Sequence, residues 1–307
     1  MMSKRILITG GKGFIGKIIT EKLVARGDSV SWLTRNPNKN SVIKEYFWDI
    51  KSGEIDPLIA EKHEYVIHLA GAPLNGRRWN NKYKKELTES RVKSSNLLYS
   101  AYKTQDVWPL AFISASAVGY YGSDLHDTWK TESDQPGDDF LSRLTCEWET
   151  AANQFRKKIT RAVTFRIGVA LSNKEGALPK MIQPINMGLG APLGSGQQYM
   201  SWIHYEDVAN AFLYALDNNL DGPYNLTAPL PVTNKELTRT IAKMLNKPFF
   251  VPRIPSLLLH LVLGEMATAV TANTRASSEK LASTGFEFKY PDLQSTLTHL
   301  LFNNNHF

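Results

Sequence analysis

Cysteine is almost absent from this chain of 307 residues, in which Cys146 is the only one. A single cysteine excludes an internal disulfide framework and is typical of a reducing compartment. Long apolar runs are also missing. The longest, Ile254–Val270, is interrupted by a proline, a histidine and a glutamate, so it is too broken to predict a membrane span. No signal or transit peptide fits the N-terminus, and we expect a cytoplasmic protein.

A strong charge of one sign is absent as well. The chain has 36 Lys and Arg against 29 Asp and Glu, a net charge of +7, which suits an anionic ligand without requiring one. The densest basic stretch, Arg77–Lys85, interleaves aromatic side chains as some nucleic-acid-binding segments do. Because no nucleic-acid fold signature accompanies it, we interpret it as a solvated helix start at the rim of an anion-binding cleft. We expect no nucleic-acid partner and no membrane partner.

The residue spacing of common metal sites is also missing. The seven histidines include no His-x-x-x-His pair, and a single cysteine cannot form a Cys pair. We interpret His68 and His204 as hydrogen-bonded core or hinge residues rather than as ligands. We therefore expect no metal.

Glycine, in contrast, is placed where a nucleotide-binding turn needs it. The apolar run 6–9 is followed by glycines and then by the amphipathic segment Lys17–Arg26. This order predicts a dinucleotide-binding unit, in which phosphates lie on free N–H groups at the helix N-terminus. The first glycine makes the turn, the second lets the backbone approach a pyrophosphate, and the third lets the helix pack closely. The predicted cofactor-binding residues here are Gly10, Gly13, Phe14, Ile15 and Gly16.

The end of the second predicted strand distinguishes the two nicotinamide cofactors. An acid there would bind the ribose 2′-OH of NAD, whereas an arginine accommodates the 2′-phosphate of NADP. The segment Thr34–Asn36 holds no acid, and Arg35 can pair with a phosphate bidentately. We predict NADP(H) as the cofactor. The alternative is that Arg35 is a surface residue and selectivity is loose.

Short apolar segments alternate with helical periodicity through the first two-thirds of the chain, which predicts an α/β fold with a doubly wound parallel sheet. The predicted strands are Arg5–Thr9, Val30–Leu33, Tyr46–Trp48, Tyr65–Leu69, Leu110–Ser114, Ala162–Ile167 and Tyr224–Leu226. The predicted helices are Lys17–Arg26, Asn81–Tyr102, Phe140–Arg156 and Tyr205–Leu216. We expect residues 1–170, completed by 201–228, to form the nucleotide-binding domain. Residues 171–200 and 229–307 are expected to form a smaller, mostly helical lobe that covers the substrate cleft.

Several separated motifs resemble the extended short-chain dehydrogenase/reductase superfamily. They are the glycine signature Thr9–Gly16, the H-x-A-[AG] turn His68–Ala72, the serine-bearing strand end Ser114–Gly122 and the late I-H segment Ser201–Ala209. Further segments resemble its branch of epimerase family proteins with a C-terminal domain of unknown function. They are Arg77–Trp79, Ser90–Val92, Phe140–Leu141, Cys146–Glu149, Gly264–Ala267 and Gly285–Leu293. The resemblance covers essentially the whole chain and implies a Rossmann fold.

The resemblance also implies hydride transfer between the nicotinamide and a carbon that bears a hydroxyl or carbonyl. The further cofactor-binding residues that it implies are Asp49, Ala70, Gly71, Ala72, Arg91, Ser114 and Arg166. In this superfamily a serine binds the substrate oxygen, and Ser116 can take that role with Ser114 as its backup. The alternative is that both serines only satisfy backbone groups at the strand end.

The acid/base pair of the superfamily, Y-x-x-x-K, is absent. Residues 138–147 should contain it, but no register places Tyr at one position and Lys four later. The nearest phenols are Tyr120 and Tyr121, which we name as candidate catalytic residues, although packing is the alternative. Glu147 and Glu149 are weaker candidates.

The substrate is less defined than the cofactor. Residues 194–201, just before the I-H motif, hold no arginine to grip a sugar nucleotide, which leaves Arg166 and the Arg77–Arg78 pair for an anionic ligand. We expect an oxidoreductase or epimerase, monomeric or homodimeric, that acts on an unidentified small carbonyl or sugar-like molecule. The alternative is a catalytically inactive, NADP(H)-binding sensor or regulatory protein.

Overall fold

The computed structural model describes residues 3–124, 127–157 and 160–303. The strands in these residues are β1 (Arg5–Thr9), β2 (Ser29–Thr34), β3 (Lys44–Asp49), β4 (Glu54–Ile55), β5 (Tyr65–His68), β6 (Ala111–Ala117), β7 (Trp129–Lys130), β8 (Arg161–Ile167), β9 (Val169–Leu171), β10 (Tyr199–Met200), β11 (Trp202–His204), β12 (Gly222–Leu226), β13 (Val232–Thr233) and β14 (Arg275–Ala276). The helices are α1 (Phe14–Ala25), α2 (Ile59–Lys62), α3 (Asn81–Gln105), α4 (Phe140–Asn153), α5 (Ala177–Asn186), α6 (Tyr205–Asp217), α7 (Asn234–Met244), α8 (Ser256–Leu263), α9 (Met266–Thr271), α10 (Glu279–Ala282) and α11 (Leu293–Phe302).

An eight-stranded sheet with the order β12-β8-β6-β5-β1-β2-β3-β4 organises the molecule. Neighbouring strands are parallel throughout except for β3 and β4, which pair antiparallel. The doubly wound α/β fold is therefore confirmed. Each of the seven predicted strands is present, and β6 ends at Ala117 rather than at Ser114. The order reverses at β1 and β5, and in such sheets ligands bind beyond the carboxyl ends of the strands at this point.

The central strands are buried on both faces, as their continuous apolar sequences require. In β1, Ile6 and Ile8 belong to a core cluster with residues of α1 and α6. The alternate residue Leu7 belongs to a second cluster that includes Leu98 of α3 and Phe155. Alternate side chains of β1 thus contribute to two cores, one on each face of the sheet.

Side-chain caps determine where the two helices beside the switch point begin. The Asn80 side chain accepts a hydrogen bond from the backbone N–H of Tyr83 at 2.8 Å at the start of α3. Asp139 accepts from the N–H of Ser142 at 2.8 Å at the start of α4. Both residues are preferred N-caps because their oxygens satisfy N–H groups that have no partner within the helix. The caps fix the first turns of helices that supply Arg91 and Glu149.

The C-terminal part of the chain is mostly helical, as expected. A third core cluster joins residues of α5, α7 and α11, together with Leu171 and Trp202 from the small strands β9 and β11. No helix in the described stretches combines the length and apolarity needed to cross a bilayer.

Candidate functional site

The glycine turn after β1 is closed so tightly that side chains would not fit. A Cβ on Gly16 would lie 2.4 Å from the carbonyl oxygen of Gly10. Gly10 has a φ of +70°, a conformation that glycine adopts without strain. Its own Cβ position is 3.0 Å from the backbone of Leu69, so the β1 turn lies directly against the turn after β5. The predicted roles of the first and third glycines in turning and close packing therefore have a direct geometric basis.

The N-terminus of α1 is available to a ligand. Its cap residue is Gly13, so no side chain satisfies the first N–H groups of the helix. The first turn holds no acid, and the helix dipole therefore favours an anion there. Phe14 and Ile15 supply N–H groups that have no acceptor within the helix. This arrangement matches the phosphate-binding end of a dinucleotide-binding unit.

The ends of β2 and β3 place two further predicted residues. Arg35 is exposed directly after β2 and forms no ion pair within the described part of the chain. Asp49, at the end of β3, accepts hydrogen bonds from the Lys51 N–H at 3.0 Å and the Ser52 hydroxyl at 3.2 Å. The Lys51 bond is the main cause of the lowered pKa of Asp49. Arg35 is thus free for a ligand, whereas Asp49 stabilises the turn into β4.

A buried histidine joins the two central turns. His68 pairs with Thr9 in the sheet, and its Nδ1 lies 2.8 Å from Thr9 Oγ1. That hydroxyl oxygen also accepts from the Ala70 N–H, so the hydroxyl proton points to Nδ1 and the ring proton lies on Nε2. Nε2 is 3.1 Å from the hydroxyls of Ser94 and Ser95. Burial lowers the pKa of His68 to about 3, which keeps the ring neutral. His68 is therefore a hydrogen-bonded core residue, as its pattern predicted.

Arg91 is a buried cation without a carboxylate partner among the described residues. Its Nη1 donates to the Leu87 carbonyl at 2.9 Å and its Nη2 to the Ala72 carbonyl at 3.0 Å. Its Nε is buried and has no hydrogen-bond partner there. The guanidinium lies 5.0 Å from the Trp148 ring centroid, and burial lowers its pKa to about 10. It lies directly beneath exposed Gly71, whose Cβ would approach its Cζ to 3.0 Å. An anion above this turn would compensate the charge.

Ser116 belongs to a second buried network. Its hydroxyl donates to Glu149 Oε1 at 2.7 Å. Arg166 holds the same carboxylate through two bonds of 2.9 Å, from Nε to Oε1 and from Nη2 to Oε2. This bidentate pairing raises the pKa of Arg166 above its ordinary value, although burial acts in the opposite direction. Arg166 is thus neutralised by a protein carboxylate, unlike Arg91.

The two candidate tyrosines have different surroundings. The Tyr121 hydroxyl donates to Asn225 Oδ1 at 2.6 Å and accepts from Arg166 Nη1 at 3.0 Å. Burial raises the pKa of Tyr121 to about 12, and these contacts favour a packing role. Tyr120 is only half-buried and stacks on the Arg166 guanidinium, 3.4 Å from Cζ to the ring centroid. Burial raises its pKa as well, so Tyr120 is the phenol that stays available as a candidate.

The first two turns of α4 lack ionisable side chains at the relevant positions. Leu141 packs against the 3₁₀ turn after β6, where a Cβ on Gly119 would meet its Cβ at 3.3 Å. Four residues later, the Thr145 hydroxyl donates to the Leu141 carbonyl at 2.8 Å. Neither residue can exchange a proton as a Tyr–Lys pair does. Helix α4 therefore carries no Tyr–Lys acid/base pair.

A group of His204, Glu206 and His299 converges beside α6. His204 Nδ1 accepts from the Glu206 N–H at 3.0 Å, and Nε2 is 3.0 Å from His299 Nδ1. The Lys289 ammonium pairs with Glu206 Oε2 at 2.8 Å. The polar atoms that would bind a metal ion are thus already hydrogen-bonded within this group, and the Lys289 ammonium provides the positive charge beside Glu206.

Comparison with known proteins supports what this geometry suggests. The model of the NAD dependent epimerase/dehydratase family matches residues 6–227, and that of a domain of unknown function, DUF1731, matches residues 254–300. An epimerase family protein of Staphylococcus aureus is 37% identical over 301 residues, which is 97% of this chain and 99% of that protein. The chain belongs to the NAD-dependent epimerase/dehydratase family.

Solved structures agree with this membership of the epimerase family. The crystal structure of the human epimerase family protein SDR39U1 with NADPH is 32% identical, with a TM-score of 0.86, and the match covers 97% of this chain and 99% of that one. A nucleoside-diphosphate sugar epimerase from Corynebacterium glutamicum is 28% identical with a TM-score of 0.79, and this chain covers 58% of it. The likeness to SDR39U1 extends through the helical C-terminal part, so the resemblance to the atypical extended branch is confirmed.

Sequence reasoning on this family member missed two residues of the buried networks. Trp148 faces Arg91, and Asn225 binds Tyr121. Asn225 lies in the predicted strand Tyr224–Leu226, but its register with Ser116 and Arg166 across β6, β8 and β12 is seen only in the structure. Trp148 lies in the segment Cys146–Glu149 that carries the family resemblance, but nothing in the sequence indicated its contact with Arg91.

Proposed function

We propose that this epimerase-family chain binds NADP(H) and uses it as an oxidoreductase or epimerase on a small carbonyl or sugar-like molecule. One observation carries the proposal: the turns after β1 and β5 pack together, so that they form a continuous surface from the uncapped N-terminus of α1 to the residues above Arg91. Gly10 packs on Leu69, and Arg91 Nε is buried without a partner in the described residues directly below Gly71. A dinucleotide with its phosphates at the first end would extend along this surface, and its polar groups could accept a hydrogen bond near Arg91 at the second end.

Most of the predicted cofactor residues have a role in this proposal. The N–H groups of Phe14 and Ile15 bind the pyrophosphate, and Arg35, which is exposed and unpaired in the described structure, binds the 2′-phosphate. Ala70, Gly71 and Ala72 border the nicotinamide side. Ser114 supports this surface from below, since it is fully buried beside His68 in the sheet register. Asp49 has no cofactor role in this proposal, since its carboxylate is bonded to its own turn.

The bound cofactor supplies or accepts a hydride at the nicotinamide. Ser116 would orient the substrate oxygen: while its proton is donated to Glu149, its lone pairs can accept from a substrate hydroxyl, and in the reducing direction the same hydroxyl would turn to donate to a carbonyl oxygen. Arg166 acts as a positioning residue, because its two hydrogen bonds hold the Glu149 carboxylate in place. Tyr120 is protonated at neutral pH, since burial raises its pKa, and can donate a proton to a carbonyl oxygen. The guanidinium stacked on its ring stabilises the resulting phenolate.

The substrate in this proposal is not a sugar nucleotide. The segment 194–201 has no cation to hold a pyrophosphate. Of its two glutamines, Gln198 donates to the Leu193 carbonyl at 2.9 Å and accepts from the Ser195 hydroxyl at 3.1 Å, so it holds its own loop. This favours a small molecule without a diphosphate.

A second function has its own support. Residues 138–147 hold no Tyr–Lys pair in any register, and this favours a catalytically inactive sensor that binds NADP(H) and signals its presence. Both functions need the same cofactor site, so turnover distinguishes them.

The test loads the purified chain with NADPH and follows loss of NADPH absorbance with a panel of aldehydes, ketones and keto sugars. We expect NADPH to be oxidised in the presence of at least one compound. The rate should fall about tenfold or more in Tyr120→Phe and in Ser116→Ala, while the affinity for NADPH stays unchanged. Tyr99→Phe on α3 is the matched control and should behave as the wild type. Inertness across the panel, with NADPH still bound, would favour the sensor.

A further inference from the structure

Helix α8 presents an apolar face that no described residue covers. Leu257, Leu261 and Val262 are 77%, 68% and 69% exposed, and Leu258 is 49% exposed. These positions are spaced so that they share one side of the helix, and Leu259 alone is buried in α8. Single exposed leucines are ordinary, whereas four adjacent apolar side chains on one helix mark an interaction surface.

Contacts just after α8 bring a basic segment to the C-terminal end of this helix. Gly264, directly after the helix, forms a β-bridge with Trp79. A Cβ on Gly264 would meet the Arg78 side chain at 2.6 Å, and Lys84 pairs with Glu265 at 2.7 Å. The segment 77–85 is therefore fixed to the apolar helix.

The charge of the molecule is concentrated at this junction. Residues 77–85 and 247–265 together contain seven Lys or Arg and one acid, Glu265. With Glu86, which directly follows the first segment and lies 3.9 Å from Arg77, the two segments hold a net charge of +5 out of +7 for the whole chain. An apolar helix bordered by basic side chains is complementary to a surface that is apolar inside and anionic outside.

We propose that the α8 face, defined by Leu257, Leu258, Leu261 and Val262, docks on a membrane surface that carries anionic lipid headgroups. The leucines enter the boundary between headgroups and acyl chains, and the Lys and Arg of the two segments lie against the headgroups. A second copy of the chain would bring two basic rims together, and a nucleic acid would leave the leucines in water. We expected no membrane partner because the apolar run Ile254–Val270 is too interrupted to span a bilayer, whereas docking on a surface needs only the uncovered side of one helix.

Vesicle flotation with the full chain tests the proposal. Vesicles of phosphatidylcholine alone are compared with vesicles that also contain phosphatidylglycerol, at low and high salt. We expect co-flotation with the anionic vesicles, weakened at high salt, and little with the neutral ones. Equal binding to both compositions, or none to either, would overturn the proposal.

Paired variants assign the binding to this face. Leu257→Gln/Leu261→Gln should weaken vesicle binding about tenfold or more, whereas Leu110→Gln, a 56% exposed leucine before β6, should leave it unchanged. Lys82→Ser/Lys85→Ser should weaken binding and reduce its salt dependence, and the exposed pair Lys39→Ser/Lys51→Ser should not. Melting temperatures confirm that each variant is folded. Loss of self-association in the leucine variant without any vesicle binding would overturn the proposal in favour of a second copy.

Discussion

A single methyl group at Gly16 would collide with the carbonyl oxygen of Gly10, since a Cβ there would lie only 2.4 Å from that oxygen. The carbonyl belongs to the backbone and cannot swing away. We expect Gly16→Ala to lower the free energy of unfolding by about 1–3 kcal/mol and to weaken NADPH binding. Gly13→Ala is the matched comparison, because its Cβ would lie 3.2 Å from the same oxygen. A Gly16→Ala protein with wild-type melting temperature and affinity would contradict this geometry.

Acid should destabilise the fold through two buried histidines. Burial lowers the pKa of His68 and of His204 to about 3, whereas an unfolded histidine titrates near pH ~6.5. Below about pH 6.5 the unfolded chain binds protons that the folded chain does not, so stability falls as the pH drops. Urea unfolding at about pH 7.5 and about pH 5 measures this, with full stability expected at the higher pH.

A variant pair attributes the effect to the buried ring. His68→Gln should make stability less dependent on pH over this range, even though it lowers stability at neutral pH. His260→Gln, which removes an exposed histidine, controls for the loss of a histidine elsewhere. An unchanged pH dependence in His68→Gln would show that the ring is not neutral in the folded chain.

Among single residues, the sequence predicted the structure best where the backbone geometry admits only one residue type. The glycine turn could be read directly, because only glycine fits its positive φ and its close packing. The contact of Arg91 with Trp148 could not be predicted, because the two residues are far apart in the sequence and no local pattern pairs them.

Between elements, the bond of Arg166 to Glu149 ties β8 to α4, and Ser116 adds β6. Arg166→Met would leave a buried carboxylate without its cation, and we expect a loss of about 3–5 kcal/mol in unfolding free energy. Adding Glu149→Gln should recover part of that loss, because the uncompensated charge is removed. Chemical denaturation of the two single variants and the double variant measures the coupling. Additive effects of the two changes would contradict a direct pair.

The elements themselves were predictable to within a few residues, whereas their register was not. Alternating apolar strands and periodic helices identified seven strands of the large sheet. The row of Ser116, Arg166 and Asn225 depends on pairing between strands that are far apart in the chain. Sequence patterns give the period of each strand but not its alignment with a neighbour, so this network became visible only in the structure.

On the scale of the whole molecule, a cofactor that binds only the folded chain must stabilise it. At a free concentration about 100 times the dissociation constant, NADPH should add about 2.7 kcal/mol to the free energy of unfolding. We expect the melting temperature to rise with NADPH and to rise less in Arg35→Ala. Arg35→Ala should melt like the wild type without cofactor, because its side chain is exposed.

The most direct measurement is a fluorescence titration of the purified chain with NADPH and, separately, with NADH. The proposed cofactor site predicts tight NADPH binding and NADH binding that is weaker by about tenfold or more, since only NADPH carries the 2′-phosphate that Arg35 can pair with. Arg35→Ala should remove most of that difference, and Lys39→Ala should preserve it. Equal affinities in the wild type would contradict the role of Arg35, and no binding of either nucleotide would contradict the cofactor site itself.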